Sequence, residues 1–456
     1  MQKLTLLFIF CFSGYLLQAQ NQDEATIKKI FDQELTNGKS YQMLEYLATK
    51  IGARLSGSPG AAAAVDWTRH TMLDFADSVW LQPVKVPHWV RGAQEIGKVT
   101  NSRKRGTIDM SICALGGSVG TGAAGVTANV VEVKNFDELK QLGQRNIQGK
   151  IVFFNRPMDA TKINTFTAYS GAVDQRASGP SEAAKYGAVG AIIRSMGSTL
   201  EDYPHTGGLR YAPNIPQIPA VAISTKDAEL LSRLLKEERD LQFYFETHCQ
   251  TFPDAPSFNV IGEIKGSLHP EEIIVVSGHL DSWDLSQGAH DDGAGCVQAM
   301  EVIRLFKAIG YKPLRTIRAV MYMNEENGLR GGIEYAKQSE LKKEKHLAAM
   351  ESDRGGFTPR GFTMSAPENV VAKVKAWKPL LEPFGLTDFD QQGGGADIGP
   401  LANQNVPLFG FLPDSQRYFN YHHTKEDTFD KVNQRELEFG AAAMAALTYL
   451  IDQHGL

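Results

Sequence analysis

His279, Asp281, Asp291, Glu325, Glu326, Asp353 and His423 are the side chains of this 456-residue sequence whose types and placement suit metal and proton chemistry. Imidazole and carboxylate together fit a hard-to-borderline divalent ion, most simply zinc. One catalytic zinc takes three protein ligands and keeps a position open. His279, Asp291, Glu326, Asp353 and His423 are too many for that. They suit two ions about 3.5–4 Å apart that share a carboxylate. Asp291 is the natural bridge, because it lies in a tight Asp291-Asp292-Gly293 turn at a helix start. Glu325 is then free to act as a general base beside the ligand Glu326. Asp281, two residues from His279, is placed to accept a hydrogen bond from the other ring nitrogen and so fix the tautomer.

Taken singly these motifs are weak: paired glutamates usually face solvent, and Asp-Asp-Gly is an ordinary turn. Their joint placement is what matters. The pattern predicts strands over Glu272–Ser277, Ile317–Met323, Leu347–Ser352 and Leu408–Leu412, and the candidate residues follow these strands. Ligands of open α/β sheets bind outside the carboxyl ends of strands. Gly293–Ala308 reads as a helix with Cys296, Met300, Ile303 and Phe306 near one face. A final helix starts at Asn433, with Glu436 as the third residue of a capping box. Strands alternating with helices predict an α/β fold with a mixed, mostly parallel sheet flanked by helices.

The rest of the chain sets the context. Lys3, the apolar run Leu4–Phe12 and the end Leu17-Gln18-Ala19-Gln20 predict a secretory signal over residues 1–20, hence a secreted or periplasmic protein. Its apolar core is too short to span a bilayer, which takes roughly 20 residues, and no later stretch is long and apolar enough. The formal net charge is −5, or −6 without residues 1–20, whose one charged residue is Lys3. That mild acidity argues against nucleic acid as the main partner. Cys113, Cys249 and Cys296 are too few and too scattered for a disulfide framework, although a Cys113–Cys249 bridge stays open. Ser40 is expected to cap a helix carrying Met43, Leu44 and Leu47, and Ala61–Phe75 reads as a second helix. Between 110 and 250 short strands such as Lys150–Phe154 alternate with turns and helices. No His/Asp/Glu cluster with metal spacing occurs there, so this stretch is expected to cap the site without entering its chemistry.

The sequences around these residues resemble the co-catalytic zinc aminopeptidase and carboxypeptidase family. The resemblance rests on Gly278–Asp284, Gly288–Gly295, Asn324-Glu325-Glu326, Glu351-Ser352-Asp353, Tyr421-His422-His423-Thr424 and, near the start, Arg54–Pro59. It implies a zinc exopeptidase fold, with residues 21–110 and 251–456 forming the peptidase domain and 111–250 an inserted protease-associated α+β domain. It also implies two zinc ions: His279 and Asp353 on one, Glu326 and His423 on the other, Asp291 bridging, Glu325 as base, and a cis bond between Asp291 and Asp292. His423 is preferred over His422 as ligand because it precedes Thr424; His422 and Asp397 are weaker candidates for contacting substrate. The implied substrates are dipeptides or short peptides with free termini, and the implied assembly is a homodimer. Two other readings differ in class: glutaminyl cyclisation on the same fold with one zinc, and a non-catalytic receptor-like binding protein. The five-ligand set and Glu325 speak against both.

Overall fold

The computed structural model describes residues 21–456; the expected signal over residues 1–20 lies outside the described residues. Two sheets organise the chain. The larger has seven strands in the order Ser78–Val90, Gln250–Ile264, Arg315–Tyr322, His269–His279, Lys345–Glu351, Leu408–Pro413, Pro359–Ser365. Its central pairs are parallel and its outer pairs antiparallel. The sheet is therefore mixed, as expected.

The continuous apolar runs of the central strands follow from burial on both faces. Along one strand Ile274 and Val276 enter one core, while Ile273 and Val275 enter the other. The first core is filled by helices Ala294–Ala308 and Gln434–His454, through residues such as Met300, Ile303, Leu437 and Leu447. Helix Arg330–Lys342 covers the opposite face with Tyr335 and Ala336.

Helix starts show where local chemistry decides. Ser58 caps helix Pro59–Leu73 by accepting from the Ala61 amide, with Pro59 in the first turn. The Ser58-Pro59 pair thus starts a helix, whereas the helical stretch before it already ends at Ile51, with Gly52 at positive φ as its cap. Ser40 does not cap: it is the first residue of its helix, and its hydroxyl donates to Glu34. The Met43, Leu44 and Leu47 stripe is buried as expected. Asn433 caps the last helix through the Glu436 amide, but the box is one-sided. The Glu436 carboxylate turns instead to Thr358 and Arg417.

The second sheet has eight strands, ordered Gly106–Asp109, Ile96–Ser102, Gln242–Glu246, Val126–Val133, Ile151–Phe154, Gly190–Arg194, Ala220–Ile223, Ile112–Ala114. It begins at Ile96, so the boundary expected at 111 falls inside it. The reason is pairing: Ile96–Val99 lies antiparallel to Phe243–Glu246 at the far end of the insertion. Cys113, Cys249 and Cys296 are buried free thiols. Cys296 packs in the larger core and donates to the His279 carbonyl at 3.0 Å. No helix among the described residues is long and apolar enough to cross a membrane.

Candidate metal centre

Adjacent parallel strands end side by side and deliver His279, the 324–326 turn and Asp353 to one edge of the larger sheet. Helix Ala294–Ala308 starts against this edge because two glycines allow it. A Cβ on Gly278 would meet Asp292 Oδ2 at 2.6 Å, and one on Gly295 would meet the Ser352 carbonyl at 2.0 Å. Asp292 ties the two together, accepting from the amides of His279 (2.9 Å) and Gly295 (3.0 Å). Asp291 is thereby turned the other way, into the cleft. The bond between Asp291 and Asp292 is cis.

All five expected ligands converge. His279 Nε2 lies 3.2 Å from Asp291 Oδ1 and 3.4 Å from Asp353 Oδ1. His423 Nε2 lies 3.3 Å from Asp291 Oδ2 and 3.1 Å from Glu326 Oε2. The two oxygens of Asp291 are thus divided between two pairs of side chains. Asp291 Oδ2 is buried and has no hydrogen-bond partner. An orphaned, solvent-shielded carboxylate oxygen costs free energy unless a cation or donor meets it. Burial pushes Glu325 up to about 8, with Asp353, Asp291 and Asp281 adding to the rise. Glu326 and Asp353 are also raised, again chiefly by burial. Asp291 alone among them is lowered, because the contacts with His279 and the nearby His422 and Arg54 outweigh its burial. This excess of crowded carboxylate is what divalent cations relieve. The donor set therefore fits zinc.

The supporting contacts depart from expectation in one place. His279 Nδ1 is 3.0 Å from the Asp281 backbone carbonyl and 3.8 Å from its carboxylate. Asp281 Oδ1 instead accepts from the amides of Asn324 (2.7 Å) and Glu325 (3.0 Å). The backbone carbonyl is the nearer acceptor, which frees the carboxylate to orient the glutamate pair. Glu326 Oε1 accepts from the Trp283 amide, leaving Oε2 for the cluster.

Sequence reasoning missed several supports. Arg54, fully buried, donates to the carbonyls of Leu280, Gln287 and Gly288. Its neighbour Ser56 is bonded to Asn324 and Asn327, so the Arg54–Pro59 motif braces both ligand loops. Asp427, raised to about 7 by burial, accepts from the amides of His290 and Asp291.

The inserted segment also reaches the site, against the expectation that 110–250 stays out of its chemistry. The cleft over the ligands encloses about 440 Å³, and Phe166, Tyr169 and Arg176 line it opposite Glu325 and His422. The Thr206 carbonyl lies 3.3 Å from His423 Nδ1. A ligand histidine that binds through Nε2 needs such an acceptor to hold its proton on Nδ1. Arg176 Nη1 is equally close to Nδ1, and burial, with the neighbouring His422 and the Arg176 guanidinium adding, holds His423 well below its usual pKa. His422 stacks on His423 at 3.6 Å and lines the cleft. Its Nε2 stands 3.8 Å from Asp291, farther than that of His423. Asp397 is 1% exposed and is not among the residues that line this cleft. Its backbone amide, with those of Ala396 and Ile398, caps Glu351.

Known proteins carry the same framework. Carboxypeptidase Q of Bos taurus is 36% identical over 414 residues, covering 91% of this chain and 85% of that one. The crystal structure of a peptidase M28 precursor from Shewanella amazonensis SB2B superposes with a TM-score of 0.90 at 32% identity, over 95% of this chain and 97% of that one. A zinc aminopeptidase from Bacillus subtilis shares the fold at 21% identity, with a TM-score of 0.63 over 90% of this chain and 94% of that one. Residues 259–448, the stretch that holds every candidate ligand described above, match peptidase family M28. Sequence and fold agree: this chain belongs to peptidase family M28.

Proposed function

We propose that this protein is a di-zinc exopeptidase that hydrolyses dipeptides or short peptides with free termini. The observation that carries the reading is the division of Asp291: Oδ1 faces His279 at 3.2 Å and Oδ2 faces His423 at 3.3 Å. One carboxylate shared between two ligand pairs is the arrangement of a two-metal site. His279 and Asp353 would hold one ion, Glu326 and His423 the other, with Asp291 common to both. When bound, zinc supplies Lewis acidity at the scissile carbonyl and makes a nearby water more acidic.

Glu325 does the proton work. Asp281 fixes its backbone by accepting from the Glu325 amide, and its place in the cleft beside Asp291 and Glu326 suits it to take a proton from the attacking water and return it to the leaving amine. The 440 Å³ cleft, walled by Phe166 and Tyr169, limits the substrate to a short peptide. The resemblance to carboxypeptidase Q and the N-terminal sequence support three further parts of the reading. Residues 1–20 act as a secretion signal, the segment that carries the second sheet from Ile96 onward is a protease-associated insertion, and the chain forms a homodimer.

The test joins metal counting to turnover. Two zinc ions per chain are expected, with hydrolysis of unblocked dipeptides lost on chelation and restored by zinc. Glu325→Gln should lower kcat by about 10²- to 10⁴-fold, the usual worth of a general base, while both ions are retained. Unchanged hydrolysis in that variant would overturn the mechanism, and one ion per chain would overturn the two-metal site.

A further inference from the structure

Cations around the centre are mostly committed. Arg176 donates to the Tyr169 hydroxyl at 2.7 Å, Arg91 pairs with Asp284, and Arg417 pairs with Glu436. Arg354, next to the ligand Asp353, is different. Among the described residues its guanidinium makes no ion pair and no hydrogen bond; it lies over the Phe166 ring at 4.7 Å. Phe166 is itself packed against Tyr418 and Phe419. Stacking on a fixed ring orders the arginine and covers one of its faces, while its N–H edge stays free for a planar acceptor.

That arginine belongs to a side cavity of about 280 Å³, lined also by Phe166, Glu351, Asp353, Gly394 and Gly395. Phe166 and Asp353 line the main cleft as well, so the two spaces adjoin at the ligand cluster. The acids of this cavity are spoken for. Glu351 accepts from the amides of Ala396 (2.7 Å), Asp397 (3.3 Å) and Ile398 (2.9 Å). Asp353 faces His279 at 3.4 Å. A half-buried, unpaired guanidinium is costly by itself and is matched best by a carboxylate, which it can grip with two parallel bonds.

We propose that Arg354 binds a carboxylate of the peptide substrate, either its C-terminal group or an acidic side chain, and thereby sets the preference of the enzyme. The proposal rests on the peptidase reading above and adds a specificity residue to it. Matched pairs separate the two sources. Ala-Ala against Ala-Ala-amide reports the terminal carboxylate. Glu-Ala-amide against Gln-Ala-amide, and Ala-Glu-amide against Ala-Gln-amide, report the side chain.

The wild-type enzyme should favour the charged member of at least one pair. In Arg354→Gln the kcat/KM ratio within that pair should fall about 10- to 100-fold, chiefly through KM, as loss of a hydrogen bond between charged groups predicts. Arg354→Lys keeps the charge without the planar fork and should fall between, and it serves if the glutamine variant does not fold. Because each ratio is taken within one protein, differences in metal loading or in the folded fraction cancel. A wild type that hydrolyses the peptides without favouring a charged member, or a ratio unchanged in both variants, overturns the role of Arg354 and leaves the peptidase reading standing. A zinc-loaded wild type that hydrolyses none of the peptides overturns that reading, and this proposal with it.

Discussion

The edge of the larger sheet and the arm of the inserted segment meet at one cleft but supply different things. The sheet edge contributes His279, Asp291, Glu325, Glu326 and Asp353 as side chains. The arm contributes none of the expected ligands. It offers the Thr206 carbonyl to His423 Nδ1, the Thr206 amide to the His423 carbonyl at 2.9 Å, and His205 to the His422 carbonyl at 2.9 Å. Tyr169 and Phe166 add rings against His422 and Phe419. What the proposed site can bind is thus decided by the sheet, and the insertion supplies contacts that hold its last candidate ligand, His423.

The sharpest way to break this division is Asp291→Ala. If the bridging carboxylate serves both ion positions, zinc content should fall at both and activity should fall by more than the roughly 100-fold that loss of an outer-shell partner costs. Retention of two tightly bound ions would remove Asp291 from the centre of the scheme. Asp281→Ala comes next. It deprives the amides of Asn324 and Glu325 of their acceptor and lets the glutamate pair drift. A loss of about 10- to 100-fold in kcat is expected, with Asp281→Asn milder because an acceptor remains. If alanine and asparagine behave alike, the charge of Asp281 matters and its hydrogen bonds do not.

The same division explains what the sequence made legible. Ligands must be particular residue types at strand ends, so His279, Glu325-Glu326 and Asp353 stood out once the strands were found. The mixed sheet was readable because strands buried on both faces leave continuous apolar runs such as Ile273–Val276. The insertion was less readable at its start. Ile96–Ser102 looks like a continuation of the preceding strand until its partner, about 145 residues later, is known. Thr206 acts through a backbone carbonyl, which no side-chain pattern encodes. Tyr169 and Arg176 are ordinary residues until tertiary contacts place them. Asp281 lies beside His279 as its spacing predicts but bonds elsewhere, since a backbone carbonyl can replace a carboxylate beside a histidine.

Two substitutions on the arm sharpen its side of the comparison. Arg176 stands 3.3 Å from His423 Nδ1. Burial, with Arg176 contributing, holds His422 down near a pKa of about 3 and His423 well below its usual value. An imidazole held below its ordinary pKa stays neutral, and the neutral form is the one that binds metal. Removing the cation in Arg176→Gln raises both values, so protons compete with metal at higher pH. The acid limb of the kcat/KM profile should move up by roughly one unit. A limb that stays in place, or moves down, would detach Arg176 from the histidine pair.

The smallest effect is expected at His205. Its ring spans the Glu201 carboxylate at 2.7 Å and the His422 carbonyl at 2.9 Å, and all of it is buried. The ring touches no ligand side chain; it holds the peptide just before His423. Asparagine is too short to reach both partners. His205→Asn should therefore loosen the 422–423 turn and weaken zinc binding by about 2- to 10-fold, below the 10- to 100-fold typical of partners that contact a ligand directly. Competition with a chelator measures this, and thermal unfolding of the metal-free protein separates it from a general loss of stability. Zinc affinity equal to wild type would make the arm a bystander at this point. A loss as large as that of Asp281→Ala would mean that the insertion holds the metal centre as firmly as the sheet does, and the contrast between the two regions would collapse.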